Sequence, residues 1–231
     1  MPECDLIVSM RTRIKICGLT REEDIAAAVE AGADAIGFVF YPKSKRYLTV
    51  ERAAQLRREI PAFVSLVALF VNATADEIRA VQDAVHPDLL QFHGDETVEE
   101  CRAHGQRYLK AFRVGAPGLD TPEGLLQACR LYDDAAGWLF DSYTPQYGGS
   151  GASFELGLLR DVTAERLARP LILSGGLRAH NVANAVAKVT PWGVDVSSGV
   201  EVSPGVKSHN AIAEFARTVM KSCLQANSSP C

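Results

Sequence analysis

The sequence predicts a (β/α)8 barrel, the TIM-barrel class of α/β fold, on three observations. Strand-like and helix-like stretches alternate without interruption from residue 13 onward. The stretch Asp34–Phe40 is almost wholly apolar, as a parallel strand covered on both faces must be. Eight such units fit within the 231 residues, with no linker, low-complexity tract or change of composition between them. A doubly wound open sheet is the competing arrangement, because it draws on the same alternation. The expectation is one domain over residues 1–231, with the barrel at about 13–224 and a polar tail at 225–231.

Arg13–Cys17 is the first strand, with Ile14 and Ile16 on one face and Lys15 and Cys17 on the other. Gly18 ends it, and Thr20 with Glu23 has the spacing of a capping box for a helix over Arg21–Ala31. Asp34–Phe40 is the second strand. The polar loop Tyr41–Thr49 then leads to a helix over Val50–Glu59, which Pro61 closes. Val64–Val71 and Thr74–Ala84 form the third unit, Asp88–His93 and Glu96–His104 the fourth, and Arg107–Arg113 is strand five. Pro117, Gly118 and Pro122 delay the next helix to about Glu123–Leu131. Gly137–Asp141 is strand six, followed by a glycine-rich loop over Ser142–Ser153 and a short helix over Glu155–Arg160. Pro170–Ser174 with Ala179–Val189, and Gly193–Ser197 with Lys207–Leu224, complete the series.

Composition narrows the function. A formal net charge of −4 supplies no basic field for nucleic acid or an anionic membrane, so neither is an expected partner. An anionic ligand must be held by local donors instead. No apolar run reaches the roughly 18 residues of a membrane span, and Met1–Thr12 lacks the apolar core of a secretory signal. The six cysteines are scattered, without the paired spacing that clasps zinc. Free thiols in a reducing cytoplasm, and no metal, are the reading.

In a barrel of this class the loops at the carboxyl ends of the strands carry the chemistry. Strand one ends in Cys17. That thiol is either packing, since free cysteine is among the most buried residue types, or a general base whose pKa of about 8.5 is lowered slightly by neighbouring N–H groups. Strand four ends with Gln91 and His93 on one face. Strand six ends in Asp141, which also has two readings. It caps the next loop or pairs with a lysine; or, beside Trp138, Leu139 and Phe140, its apolar surroundings favour the protonated carboxyl and make it a proton donor. Strands seven and eight end in Ser174-Gly175-Gly176 and Ser197-Ser198-Gly199. Glycines there let backbone N–H groups approach an anion, with a helix dipole behind them, which fits a phosphate site. Strands one and eight are neighbours in a closed barrel, so Lys15 and Asp195 are expected to form a buried ion pair with a structural role. His86, His104, His180 and His209 read as surface or helix residues.

Together these motifs resemble the phosphoribosylanthranilate isomerase family of tryptophan biosynthesis. The matching stretches are Lys15–Thr20, Gly32–Tyr47, Gln91–Asp95, Phe140-Asp141 with Tyr147–Gly151, Ser174–Leu177 and Gly193–Glu201, in family order from about residue 13 to 217. Phe92, where leucine is usual, and a longer N-terminus are the departures. The resemblance implies an Amadori rearrangement of N-(5-phosphoribosyl)anthranilate to 1-(2-carboxyphenylamino)-1-deoxyribulose 5-phosphate, with no metal or organic cofactor. It implies Asp141 as general acid, Cys17 as general base and Arg46 as partner of the anthranilate carboxylate. Gln91 and His93 would lie at the substrate, and Gly149, Gly175, Gly176, Ser198 and Gly199 at its phosphate. The implied partner is this small phosphorylated substrate, and the implied assembly a monomer or homodimer. A sister barrel of histidine synthesis does the same chemistry with a carboxylate at the end of strand one, where Cys17 stands here. A catalytically silent sugar-phosphate sensor is the non-enzyme alternative, and the presence of both proton-transfer residues argues against it.

Overall fold

The computed structural model describes residues 11–144, 153–165 and 168–226. Eight parallel strands close into a barrel in chain order: β1 (Arg13–Cys17), β2 (Ala35–Val39), β3 (Ser65–Phe70), β4 (Leu89–Phe92), β5 (Tyr108–Val114), β6 (Gly137–Ser142), β7 (Leu171–Leu173) and β8 (Gly193–Val196). The ring is sealed by β1 against β8, where Arg13 lies opposite Gly193 and Lys15 opposite Asp195. An open sheet would leave these two strands as unpaired edges; their pairing excludes that arrangement. The helices are α1 (Glu22–Glu30), α2 (Val50–Leu56), α3 (Ala75–Val85), α4 (Val98–Arg102), α5 (Pro122–Leu131), α6 (Arg160–Ala164), α7 (Ala179–Val189) and α8 (His209–Ala226). No helix among the described residues is long and apolar enough to cross a membrane.

Period-two alternation divides the sheet into two environments. Ile14, Ile16, Ile36, Phe38, Phe70, Trp138 and Phe140 face outward and pack with helix residues such as Ile25, Leu56, Ile78 and Val81. This layer between sheet and helices is the main apolar core. Phe112 stacks on Phe140 there, with ring centres 5.6 Å apart. The inward faces are more polar. Towards the carboxyl end they carry a small apolar group of Cys17, Val39, Leu69 and Val71.

The structure differs from the sequence reading at several element ends. Thr20 does not cap α1. Its hydroxyl donates to the Gly205 carbonyl (2.8 Å), and the residue at the start of the helix, Arg21, provides no side-chain cap. The short helix expected at Glu155–Arg160 is a 3-10 turn, Leu156–Leu159, running into α6.

Helix α4 starts at Val98 behind a Thr97–Glu100 capping box, not at Glu96. Glu96 has turned inward. Its carboxylate accepts from the backbone N–H groups of Asn72 (2.8 Å) and Gly94 (2.9 Å) and from Lys110 Nζ (2.9 Å). The pair is almost wholly buried and fixes the turn immediately after His93. Removing one partner of such a pair leaves an uncompensated buried charge, so Glu96→Ala is expected to lower unfolding free energy by about 3–5 kcal/mol. Denaturant melts read this directly; a loss below about 1 kcal/mol would contradict it.

The largest departure follows β8. Lys207 was expected to open the last helix, but residues 201–207 form a hairpin of β9 (Glu201–Ser203) and β10 (Val206–Lys207), and α8 begins at His209. Asp24 of α1 holds the hairpin from outside. It accepts from Arg21 Nη2 (2.6 Å) and from the Lys207 backbone N–H (3.3 Å), and lies 3.0 Å from His209 Nε2. Burial opposes the Asp24 charge, but these partners outweigh it and hold the carboxyl below the usual carboxylate range.

Candidate active site

Cys17 and Asp141, on β1 and β6, open onto one pocket at the carboxyl mouth of the barrel. Arg46, His93 and the turns after β7 and β8 line the same pocket. Among the described residues no group of three or more histidine, cysteine or acidic side chains is arranged to hold a metal ion.

The surroundings of Asp141 are not those suggested by its sequence neighbours. Alternation along β6 turns Trp138 and Phe140 outward, into the layer against the helices. The carboxylate instead accepts from the Ser142 backbone N–H (2.8 Å), and its other oxygen lies 3.2 Å from His93 Nε2. His93 Nδ1 is 3.0 Å from Gln91 Nε2, so Gln91, His93 and Asp141 form a chain of contacts across the inner face. Gln91 is fully buried behind His93, and its Oε1 has no hydrogen-bond partner among the described residues.

Cys17 corrects the expected acidity. The thiol is only 4% exposed, and burial pushes its pKa up; Lys15 and Lys207 offset this only in part, and Asp195 adds to it. Backbone N–H groups do not lower it as the sequence suggested, because loss of water outweighs them. Beneath it lies the expected ion pair, with Lys15 Nζ 2.9 Å from Asp195 Oδ1. Cys17, Cys101 and Cys129 are free and buried.

Arg46 comes from the loop after β2. Its Nε and Nη2 meet the two carboxylate oxygens of Glu201 in β9, each at 2.7 Å, a bidentate fork that fixes the guanidinium plane. Glu201 also accepts from Lys207 Nζ (2.8 Å), which donates to the Ser197 carbonyl (3.1 Å) as well. Arg46 and Lys207 together keep Glu201 ionised below the usual carboxylate range despite its burial. Burial moves Lys207 below the ordinary lysine value, and Glu201 restores only part of the loss. Glu201 and Lys207 were not singled out from the sequence. The signal was there in Ser203-Pro204-Gly205, turn chemistry between two short strand-like runs.

Gly175 and Gly176 have φ of +83° and +63°, a left-handed pair that side-chain-bearing residues rarely adopt. At Gly199 a Cβ would sit 1.9 Å from the Leu177 carbonyl oxygen, so the turns after β7 and β8 pack together through a bare backbone. Ser198 stands beside them on the pocket wall. Gly149 lies outside the described residues. His86, His104, His180 and His209 do not line the pocket; His104 stacks on Phe92 and His209 meets Asp24.

Residues 14–218 match the family model for N-(5'-phosphoribosyl)anthranilate (PRA) isomerase. The chain is similar to the N-(5'-phosphoribosyl)anthranilate isomerase of Bordetella parapertussis, 66% identical over 206 residues that span 89% of this chain and 94% of that protein. It superposes on the crystal structure of phosphoribosyl anthranilate isomerase from Thermotoga maritima with a TM-score of 0.80 and 41% identity, covering 90% of this chain and 98% of that one. A solved phosphoribosyl anthranilate isomerase in complex with reduced 1-(o-carboxyphenylamino)-1-deoxyribulose 5-phosphate is also similar, at a TM-score of 0.77 and 38% identity, covering 90% of this chain and 98% of its own. An eight-stranded parallel barrel with these residues at its mouth, matched along nearly its whole length, belongs to the N-(5'-phosphoribosyl)anthranilate isomerase family of enzymes.

Proposed function

We propose that this chain isomerises N-(5'-phosphoribosyl)anthranilate to 1-(2-carboxyphenylamino)-1-deoxyribulose 5-phosphate in tryptophan biosynthesis, by general acid–base catalysis. The observation that carries the reading is the shared pocket of Cys17 and Asp141, with the paired glycine turns on its rim. Asp141 gives a proton to the furanose ring oxygen. The C1–O bond breaks onto that oxygen while the nitrogen lone pair forms C1=N. The Cys17 thiolate then takes the C2 proton; the C–H electrons become C1=C2, and the C1=N pair returns to nitrogen. The resulting enolamine tautomerises to the ketone. Each proton transfer of this kind is worth about 10²–10⁴ in rate.

The remaining roles divide along the ligand. The turns Gly175–Gly176 and Ser198–Gly199, with Gly149, take the phosphate, and His93, backed by Gln91, orients Asp141 and faces the sugar. Arg46 takes the anthranilate carboxylate, one edge of its fork being held by Glu201. The bound molecule of the similar solved isomerase has a carboxyphenyl group at one end and a 5-phosphate at the other, which supports this division. The chain would work in the cytoplasm as a single domain, monomeric or homodimeric, with no nucleic-acid partner. Its net charge of −4 accords with that last point.

The test is rescue of growth in a tryptophan-requiring strain that lacks this step, run beside a histidine-requiring strain lacking the sister isomerase. Rescue of the first is expected; rescue of the histidine strain alone would overturn the assignment. Arg46→Ala is expected to raise KM about 10–100-fold, as loss of a charge-assisted contact worth about 1.5–3 kcal/mol implies, with kcat changed less. An unchanged KM would remove Arg46 from the site. Inorganic phosphate is expected to raise the apparent KM without lowering kcat, and absence of inhibition at high concentration would count against the glycine cradle.

A further inference from the structure

The Lys15–Asp195 pair has no evident value as a structural device. It sits inside the barrel, each residue 5% exposed, where a well-packed apolar pair of the same volume is often as stabilising or more so. Its position points to another use. Lys15 precedes Cys17 by two residues on β1, so both side chains leave the same face, one directly below the other. Asp195 lies opposite Lys15 across the β1–β8 seam and anchors the ammonium at 2.9 Å. The ammonium thus stands one step below Cys17 on the inner face, where its positive charge favours the thiolate over the thiol.

The other charges around the sulfur do not replace the Lys15 charge. Lys207 approaches from β10 but is committed to Glu201 and the Ser197 carbonyl. Arg46, from the loop after β2, is committed to Glu201. Asp195 opposes a thiolate, and Asp141 faces the same pocket from β6. The neighbour on β2 is Gly37, which carries no charge.

We propose that Lys15, clamped by Asp195, is the positioning residue that provides the counter-charge for the Cys17 thiolate. The proposal rests on Cys17 being the general base. Asp195 keeps the ammonium charged in a dry setting, where burial alone would strip its proton; the pair leaves Lys15 above the ordinary lysine value. The ion pair is therefore part of the proton-transfer apparatus one layer beneath it.

The test is Lys15→Met, with the double variant Lys15→Met/Asp195→Leu, which removes both buried charges, as the form that folds if the single one does not. Iodoacetamide labelling of Cys17 is followed at pH 8.5 by mass spectrometry of its peptide, with buried Cys101 as internal contrast. An opposite charge in contact is worth about 1–3 pH units, so labelling is expected to slow about 10–1000-fold. kcat/KM at the same pH should fall by the same factor, and its rise with pH should level off at a higher pH than in the parent. Unchanged labelling in a folded variant overturns the proposal. Slower labelling with an unaltered rate profile overturns the assignment of Cys17 as base instead, leaving the effect of Lys15 on the thiol intact.

Discussion

Cys17→Ala is expected to lower kcat about 10²–10⁴-fold while leaving the far-ultraviolet circular dichroism spectrum unchanged. The sulfur belongs to the small apolar group on the inner face, apart from the large core between sheet and helices, so its removal disturbs few packing partners. What disappears is the group that takes the C2 proton, and alanine offers no substitute. Because burial holds the thiol up, the parent enzyme should gain kcat/KM with rising pH as more thiolate forms. The alanine variant should lose that dependence. A variant that kept more than about a tenth of parental turnover would show that another base does the work.

Asp141→Asn is expected to have an effect of the same order, read as a fall in kcat with KM nearly constant. Asparagine matches the shape and can still accept from the Ser142 backbone N–H, so the loop after β6 keeps its anchor. It has no proton to give to the ring oxygen. It also sets an amide N–H₂ or a carbonyl against His93 Nε2, where a carboxylate oxygen stood at 3.2 Å. An assay with a substrate analogue already opened to the imine separates the two effects. Activity should return there, because the acid step has been bypassed, and continued inactivity would point to disruption of the Gln91–His93 chain.

The barrel was legible in the sequence because the strand–helix alternation that builds it is a local signal that recurs eight times along the chain. Cys17, Asp141 and the glycine turns were legible for the same reason, each sitting at a strand end that the alternation marks. The contacts made by these residues were not. Glu201 meets Arg46 across 155 positions, and Glu96 turns away from its own helix to meet Lys110. No spacing rule joins residues that far apart. The surroundings of Asp141 are a different case, since the alternation along Gly137–Ser142 already sends Trp138 and Phe140 outward. There the proximity of residues in the chain obscured a separation in space. For Cys17 the balance between lost water and nearby lysines depends on depth, and depth is a property of the assembled barrel.

The β1–β8 seam has a temporal consequence. Lys15 and Cys17 leave the ribosome well before Asp195, Glu201 and Lys207; Asp195 follows Lys15 by 180 residues. The base thus receives its full electrostatic setting only when the first and last strands of the barrel meet. Recovery of turnover during refolding should accordingly lag behind the return of helical signal and report the moment of ring closure.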